Sequence, residues 1–168
     1  AHCTHVDCRS VGFDETLHFE PQLGILPDFM SDRPTLGKLA RNARHGILSA
    51  RVKAYDYRDA RAMMMAALPS WPTIPCVFVG WDNTPRRGRN GIVVVGATPR
   101  RFEVAVSAAV AGVQARPPAQ RLVFLNAWNE WAEGNHLEPD LRRGHEYLQA
   151  VRRATTRDAS DTGERVSV

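Results

Sequence analysis

Short apolar runs that alternate with segments of helical periodicity constrain the fold of this chain most. Residues 75–80 and 122–125 are continuous apolar runs of strand length. Between them, residues 98–113 repeat apolar side chains at helical spacing, with Thr98 placed to cap the helix and Pro99 at its first position. We therefore predict parallel strands with helices packed against the sheet.

Other segments extend this alternation. Residues 11–13 and 17–21 are predicted to form a strand that runs into a loop, and residues 92–95 a further short strand. Helices are predicted near 36–43, over 57–68 and over 143–153. The methionine run at 63–65 is predicted to pack in the core.

The length of the chain limits how much of a barrel it can form. A closed eight-stranded barrel needs about 200 residues or more, and the chain has 168. We expect an α/β fold of the (β/α)8 TIM-barrel type, with only the C-terminal half of the barrel present. The predicted boundaries are a poorly defined segment at 1–10, a partial barrel at 11–153 and a disordered polar tail at 154–168.

Composition and charge argue against several classes of partner. The net charge is +4, but the arginines are scattered among acids, which favours compositional bias over nucleic-acid binding. No apolar run reaches the ~18 residues of a membrane span. No phosphate-cradling glycine loop is present, so we expect no nucleotide cofactor. The expected location is the bacterial cytoplasm.

The cysteines indicate neither a disulfide scaffold nor a metal site. There are three, at positions 3, 8 and 76, and an odd count without framework spacing suits a reducing compartment. His2, Cys3, His5 and Cys8 crowd together, yet their spacing matches no four-ligand zinc pattern. We therefore expect no metal.

The segment that follows the run at 122–125 contains the residues most suited to chemistry. Glu130 and Glu133 lie three apart, and Trp128 and Trp131 flank Glu130. An indole ring covers the apolar face of a pyranose while carboxylates bind its hydroxyls. Retaining glycosidases place two carboxyl groups about 5 to 5.5 Å apart, which a turn with this spacing can supply. The alternative is a helix cap, a solvated acid and two core tryptophans.

A family resemblance favours the first of these interpretations. Residues 126–140, NAWNEWAEGNHLEPD, followed by Gly144 and by residues 147–148, resemble the C-terminal signature of the WbsX-type proteins. These are described as glycosyltransferases of polysaccharide biosynthesis and look like relatives of the family 99 endo-α-mannosidases. The segments 80–87 and 19–21 are similar to that family too, so the resemblance spans about residues 12–152. It implies a (β/α)8 barrel about twice this length.

The resemblance also implies roles for the two acids. Glu130 would take the proton from a substrate 2-hydroxyl, which then attacks the anomeric carbon and gives an anhydrosugar. Glu133 would protonate the leaving oxygen and later activate water. Ala132 stands where the mannosidases have His, so the resemblance does not define the donor specificity.

The remaining predicted site residues lie at three strand ends and are expected to contact substrate. Asp82 and Asn83 alternatively form a turn, and His136 and Glu138 either line the rim of the site or orient the loop. Arg86 meets a phosphate or acidic sugar or lies in a solvated loop. The expected substrate-binding residues are Trp128, Asn129, Trp131, Trp81, Asp82, Asn83, Glu20, Gln22, His136, Glu138 and Arg86.

These features predict a carbohydrate-active enzyme that acts as a retaining glycoside hydrolase or transglycosylase in bacterial cell-surface polysaccharide metabolism, such as that of lipopolysaccharide O-antigen. The alternatives are a glycosyltransferase that uses a nucleotide sugar and a non-catalytic carbohydrate-binding remnant. The expected partners are an oligosaccharide or polysaccharide, together with the missing N-terminal barrel half or a second copy of the chain.

Overall fold

The computed structural model of this chain describes residues 7–29, 35–47 and 51–156. Short 3-10 helices occupy Cys8–Val11, Leu23–Ile25, Gly88–Asn90, Pro118–Gln120 and Trp131–Glu133. The longer elements follow in the order β1 (Leu17–His18), α1 (Leu36–Ala43), β2 (Lys53–Asp56), α2 (Tyr57–Ala66), β3 (Ile74–Phe78), β4 (Trp81–Asp82), α3 (Thr84–Arg87), β5 (Ile92–Val95), α4 (Pro99–Val113), β6 (Phe124–Asn126), β7 (Asn129–Glu130), β8 (Asn135–His136) and α5 (Glu146–Thr156).

A parallel sheet in the order β1-β3-β6 carries the candidate site. Leu17 pairs with Ile74, and Cys76 pairs with Phe124. Parallel neighbours need long crossover connections, and here those connections contain α2 and α4. The predicted parallel pairing is therefore confirmed for these three strands.

One face of this sheet packs against α4 and α5. Val77 and Val79 are buried in one apolar cluster with Phe102, Val106 and Ala150. Fully burying a large apolar side chain of this kind contributes roughly 1.5–3 kcal/mol. This cluster therefore holds the two helices against β3, the central strand.

The opposite face of the same sheet is partly uncovered. Leu17 on β1 and Phe124 on β6 keep 37% and 48% of their surfaces exposed. The described strands form two three-stranded sheets and one hairpin rather than a closed barrel. The half-barrel assignment stays a prediction.

A second sheet, in the order β2-β5-β4, packs beyond the C-terminal end of β3. Its Tyr55, Ile92 and Val94 share a buried cluster with Tyr57 and Phe78. The Tyr57 hydroxyl donates to the Phe78 carbonyl at 2.8 Å, and the two rings lie 5.0 Å apart. The antiparallel pairing of β4 with β5 departs from the all-parallel order predicted from sequence.

The predicted α4 begins where the sequence indicates. The Thr98 hydroxyl accepts a hydrogen bond from the Arg101 amide at 3.2 Å, and Pro99 is the first helical residue. This arrangement satisfies one of the amides that a helix start leaves unpaired.

Several predicted boundaries were wrong. Cys8–Val11 forms a 3-10 helix that Asp7 caps, and residues 11–13 form no strand. Helix α5 starts three residues later than predicted and includes residues 154–156, which were assigned to the tail. The rest of that tail, residues 157–168, lies outside the described residues.

The methionine run is only partly in the core. Met64 is fully buried, whereas Met63 and Met65 are 39% and 49% exposed. Three consecutive helical residues point in different directions, so only one of them can face the core.

Candidate functional site

The two candidate catalytic acids lie on a hairpin that follows β6. The antiparallel strands β7 and β8 pair Glu130 with Asn135, and the 3-10 turn Trp131–Glu133 closes the hairpin. Gly134 ends this turn at φ 55°, where an added Cβ would lie 3.3 Å from the Cβ of Asp82. A positive φ and a close neighbour both favour glycine at this position. Glu130 and Glu133 therefore stand at the two ends of one short, tightly packed turn.

Asn135 anchors the hairpin to the end of β3. Its side chain is fully buried, and its Oδ1 accepts hydrogen bonds from the amides of Val79 and Gly80 at 3.0 and 3.2 Å. An added Cβ at Gly80 would lie 3.1 Å from the Gly134 carbonyl oxygen, so the two segments touch. The hairpin is thus fixed to the central strand of the sheet.

Trp131 is held from two sides. Its ring stacks on His136 with centroids 3.8 Å apart, and its Nε1 donates to Glu138 Oε2 at 2.7 Å. His136 in turn contacts Asp140 Oδ2 through Nε2 at 3.0 Å. The indole nevertheless stays 49% exposed, and that of Trp128 52%. Two exposed indoles beside acids provide apolar surface for a sugar ring.

The two glutamates differ in their surroundings. Glu133 has a side chain that is 15% exposed and accepts a hydrogen bond at Oε1 from Arg86, whose own side chain is 60% exposed. Glu130 is an exposed residue at the N-cap of the turn. Both carboxyl groups are accessible, which a catalytic pair requires.

The residues at the end of β4 have structural partners. Asn83 is 3% exposed, and its Oδ1 accepts from the Ile92 amide at 2.8 Å, which ties the loop to β5. Asp82 Oδ1 accepts from the amide and hydroxyl of Thr84 at 2.9 and 2.6 Å. We therefore assign Asn83 to the loop architecture instead of sugar binding, whereas Asp82 keeps its second oxygen for other contacts.

The residues at the end of β1 are buried. Glu20 is 1% exposed and forms an ion pair with Arg61, and burial raises the pKa of Glu20 to about 7 even though Arg61 opposes that shift. Gln22 is 6% exposed, and its Nε2 contacts His18 Nδ1 at 3.1 Å. Burial also lowers the pKa of His18. Because Glu20 and Gln22 are buried, their side chains are not exposed to the hydroxyl groups of a sugar on the surface of the hairpin.

Glu20 is nevertheless connected to the strand that leads into the hairpin. Its carbonyl oxygen accepts a hydrogen bond from Asn126 Nδ2 at 2.7 Å. The Glu20–Pro21 and Asn126–Ala127 peptide bonds are both cis. His18, Glu20, Arg61 and Cys76 also line a cavity of about 270 Å³ beside α2 and α4. Burial raises the pKa of the Cys76 thiol to about 11, so this sulfur is not a nucleophile at neutral pH.

Sequence reasoning missed three partners that organise the site: Asn135, Asp140 and Arg61. The first two lie inside the motif at 126–140, but a polar residue in a motif does not reveal whether it faces substrate or backbone. Arg61 lies 41 residues from Glu20, and no local pattern could have paired them.

The described ranges contain neither a candidate metal site nor a helix that could span a membrane. No group of three or more His, Cys, Asp or Glu side chains there could hold a metal ion. His2, Cys3 and His5 lie outside those ranges. None of the described helices is long and apolar enough to cross a bilayer.

Comparison with known proteins gives matches over most of the chain. A family model described as "Glycosyltransferase WbsX" matches residues 1–151. Proteins named "Uncharacterized protein WxcX" from Xanthomonas campestris pv. campestris strains B100 and ATCC 33913 are each 39% identical over 155 residues. These alignments cover 90% of this chain but 21% of each relative, so the chain spans about one fifth of their length. No solved structure matches.

Proposed function

Because the chain belongs to the WbsX glycosyltransferase family, we propose that it supplies the catalytic carboxylates of a retaining enzyme that acts on glycosidic bonds in bacterial cell-surface polysaccharide metabolism. The observation that carries this proposal is the hairpin after β6. It presents Glu130 and Glu133 at the two ends of one turn, with the exposed indoles of Trp128 and Trp131 beside them.

In the proposed reaction each glutamate moves one proton at a time. Glu130 takes the proton of the substrate 2-hydroxyl as that oxygen attacks the anomeric carbon and closes an anhydrosugar ring. Glu133 donates a proton to the glycosidic oxygen as its bond to the anomeric carbon breaks. Glu133 then takes a proton from an incoming hydroxyl, whose oxygen attacks the anomeric carbon. The bond between that carbon and the 2-oxygen breaks, and Glu130 returns its proton to the 2-oxygen. Water in that role gives hydrolysis, and a sugar hydroxyl gives transfer.

Trp131 serves as a fixed surface for the sugar in this scheme. Stacking on His136 and the hydrogen bond to Glu138 restrict the indole to one orientation. A ring that is already ordered loses little conformational entropy when a pyranose covers it. Trp128 and Asn129, both exposed on the same hairpin, are placed to contact the next sugar or its hydroxyls.

Arg86 has to release Glu133 before that carboxyl can act on a glycosidic oxygen. Its guanidinium occupies Oε1 of Glu133, and its side chain is 60% exposed, so it can swing away without crossing the core. An acidic group on the substrate would compete for this guanidinium, because arginine binds carboxylates and phosphates in the same fork geometry. We therefore expect an acidic substrate group to bind Arg86 and free Glu133 at the same time.

We also propose that this chain is the C-terminal half of a (β/α)8 barrel. The partly uncovered face of the β1-β3-β6 sheet would then be closed by another part of a longer polypeptide or by a second copy. The chain spans about one fifth of the length of its relatives, which therefore extend far beyond the matched region.

The test uses the longest natural polypeptide that contains this sequence, incubated with an α-mannoside and with sugar acceptors. We expect Glu130→Gln and Glu133→Gln each to lower turnover by roughly 10²–10⁴-fold, the usual contribution of a general acid or base. Glu146→Gln, a matched change on the exposed start of α5, should leave turnover unchanged. Mass analysis of the products separates hydrolysis from transfer.

The family description favours one competing mechanism, a glycosyltransferase that uses a nucleotide sugar. That mechanism predicts turnover only with a nucleotide-sugar donor. If such turnover survives Glu130→Gln, the carboxylate-pair mechanism is wrong. Sugar binding without turnover, unchanged in Glu133→Gln, would instead indicate a non-catalytic carbohydrate-binding domain.

A further inference from the structure

An open groove separates the helices α2 and α4 on the outer side of the molecule. One part is the cavity of about 270 Å³ between their C-terminal halves, and the other is a cavity of about 310 Å³ between their N-terminal halves. The two cavities adjoin, because three residues line both of them: Arg61, Met65 and Ala108. Along α4 the groove extends from Arg100 to Val113, about 20 Å at the rise of an α-helix.

The groove lies on the side of the sheet opposite to the partly uncovered face. His18 of β1 and Pro75 of β3 line the groove, whereas Leu17 and Phe124 belong to the uncovered face. Successive residues of a strand point to opposite faces of a sheet. A barrel half that closed the uncovered face would therefore leave the groove open.

The sequence of α4 has the pattern of a helix that is covered on every side. Residues 102–113 contain only two polar side chains, Glu103 and Ser107. Helices that are apolar around their whole circumference are normally buried. Nevertheless Val104 is 57% exposed, and Met65 on the α2 side of the groove is 49% exposed. Both residues line the groove, and open apolar surface of this kind is typical of a docking site.

Arginines surround this apolar surface. The described residues that line the N-terminal part of the groove include four arginines and no acid. No described residue forms an ion pair with Arg58. The side chain of Arg100 is 70% exposed while its partner Glu103 is 3% exposed, and that of Arg101 stays 44% exposed although it binds Asp56. A molecule in the groove therefore meets guanidinium groups rather than carboxylates.

An amphipathic helix with carboxylates beside its apolar face has the matching chemistry. Such a helix lays its apolar side chains into a groove between two others, and its carboxylates bind the arginines at the rim. A single-stranded nucleic acid would need aromatic rings for its bases to stack on. The middle of the groove instead presents alanine, valine and methionine side chains, such as Ala62, Val104 and Ala108.

The relatives are long enough to supply this helix themselves. The chain spans about one fifth of their length, so a barrel of twice its size would leave more than half of each relative for other segments. A helix within the same polypeptide has a high effective concentration at the groove. We propose that the groove between α2 and α4 docks an acidic amphipathic helix from a part of the same polypeptide that lies outside the barrel.

The first experiment titrates the full 168-residue chain with a fluorescent peptide of about 18 residues, long enough to form a helix in water. Leucines occupy one face of this peptide and glutamates flank them, and a comparison peptide has lysine in place of every glutamate. We expect saturable binding of the glutamate peptide and binding of the lysine peptide that is weaker by about tenfold or more. Equal affinities would overturn the proposal. Displacement of the glutamate peptide by oligothymidylate would overturn it in favour of a nucleic acid.

Variants on α2 locate the binding surface. Met63 and Met65 are both exposed, but only Met65 lines the groove. Met65→Glu should weaken binding of the glutamate peptide about tenfold, because it places a charge among apolar side chains, and Met63→Glu should bind like the original chain. Arg58→Glu should weaken binding of the glutamate peptide about threefold and strengthen that of the lysine peptide. Equal effects of the two methionine variants would place the peptide elsewhere and refute the assignment.

The second experiment identifies the natural occupant. A photoreactive amino acid is placed at the exposed position Ala108 in the longest natural polypeptide that contains this sequence, and the crosslinked peptides are identified by mass spectrometry. We expect crosslinks to an acidic, partly apolar segment outside residues 1–168, and none to that segment from the same amino acid at Met63. Crosslinks only to a second copy or to a separate protein, or no crosslinks at all, would overturn the proposal.

Discussion

Replacement of Asn135 by leucine tests whether the hairpin depends on one buried amide. Asn135 is fully buried, and its Oδ1 is the acceptor for the amides of Val79 and Gly80. Leucine has a similar volume but no acceptor, and it leaves little room for a water molecule to replace the lost oxygen. The Val79 amide would keep its bond to the Asn126 carbonyl at 3.0 Å, whereas the Gly80 amide would be buried without a partner among the described residues.

The expected loss of stability follows from these contacts. The orphaned Gly80 amide costs about 1–3 kcal/mol, and the Val79 amide loses one of its two acceptors. Part of this is offset, because Asn135 Nδ2 has no hydrogen-bond partner among the described residues and disappears in the variant. The net destabilisation should be about 1–2 kcal/mol, a measurable fraction of the stability of an ordinary domain.

Urea denaturation followed by tryptophan fluorescence measures this quantity. Asn129→Leu is the matched control, because Asn129 lies on the paired strand of the same hairpin but is exposed. We expect the control to remain within about 0.5 kcal/mol of the original chain. If Asn135→Leu also stays within that margin, the amide does not hold the hairpin and the account of the site is wrong.

Burial of Glu20 should make the fold lose stability as the pH rises. Its pKa is about 7 in the folded chain against 4.5 as the ordinary value, so its contribution is fully present below pH 4.5 and is lost by about pH 7, a change of roughly 3 kcal/mol. Urea unfolding of the original chain and of Glu20→Gln over this range should therefore diverge, and parallel curves would contradict the raised pKa. Thr98→Ala should lower the unfolding free energy by about 1 kcal/mol, because it removes the cap of α4. The control, Thr155→Ala in the last turn of α5, should cost less. Equal losses of stability in thermal denaturation would argue against the cap.

Arg86 and Arg61 illustrate two uses of the same side chain. Arg61 is 12% exposed and accompanies a carboxylate that is 1% exposed, so the pair belongs to the packed interior. Arg86 is mostly exposed and reaches across to the acid turn. Removing a partner from the interior pair leaves an uncompensated buried charge, whereas removing Arg86 leaves a carboxylate that water can reach. Only the second pair can open and close during a reaction.

The sequence by itself determined the elements that depend on neighbours along the chain. Helix α1 occupies the predicted residues, and α4 starts at Pro99 under the Thr98 cap, because capping and helical periodicity are local interactions. The apolar runs before residues 80 and 126 became the strands that deliver the candidate site. β2 was missed because residues 53–56 mix a lysine and an aspartate with two apolar residues, and their burial depends on a second sheet.

Only the tertiary structure decided which side chains meet across long separations. Arg86 and Glu133 are 47 residues apart in the sequence, and Arg61 and Glu20 are 41 apart. Asn135 is 56 residues from Val79, whose amide it binds. No local propensity encodes such contacts, because they form only after the strands have brought distant loops to one edge of the sheet. The same packing buried Asn83 and Gln22 and left Trp128 and Trp131 exposed, although all four are polar or amphipathic residues beside strand ends.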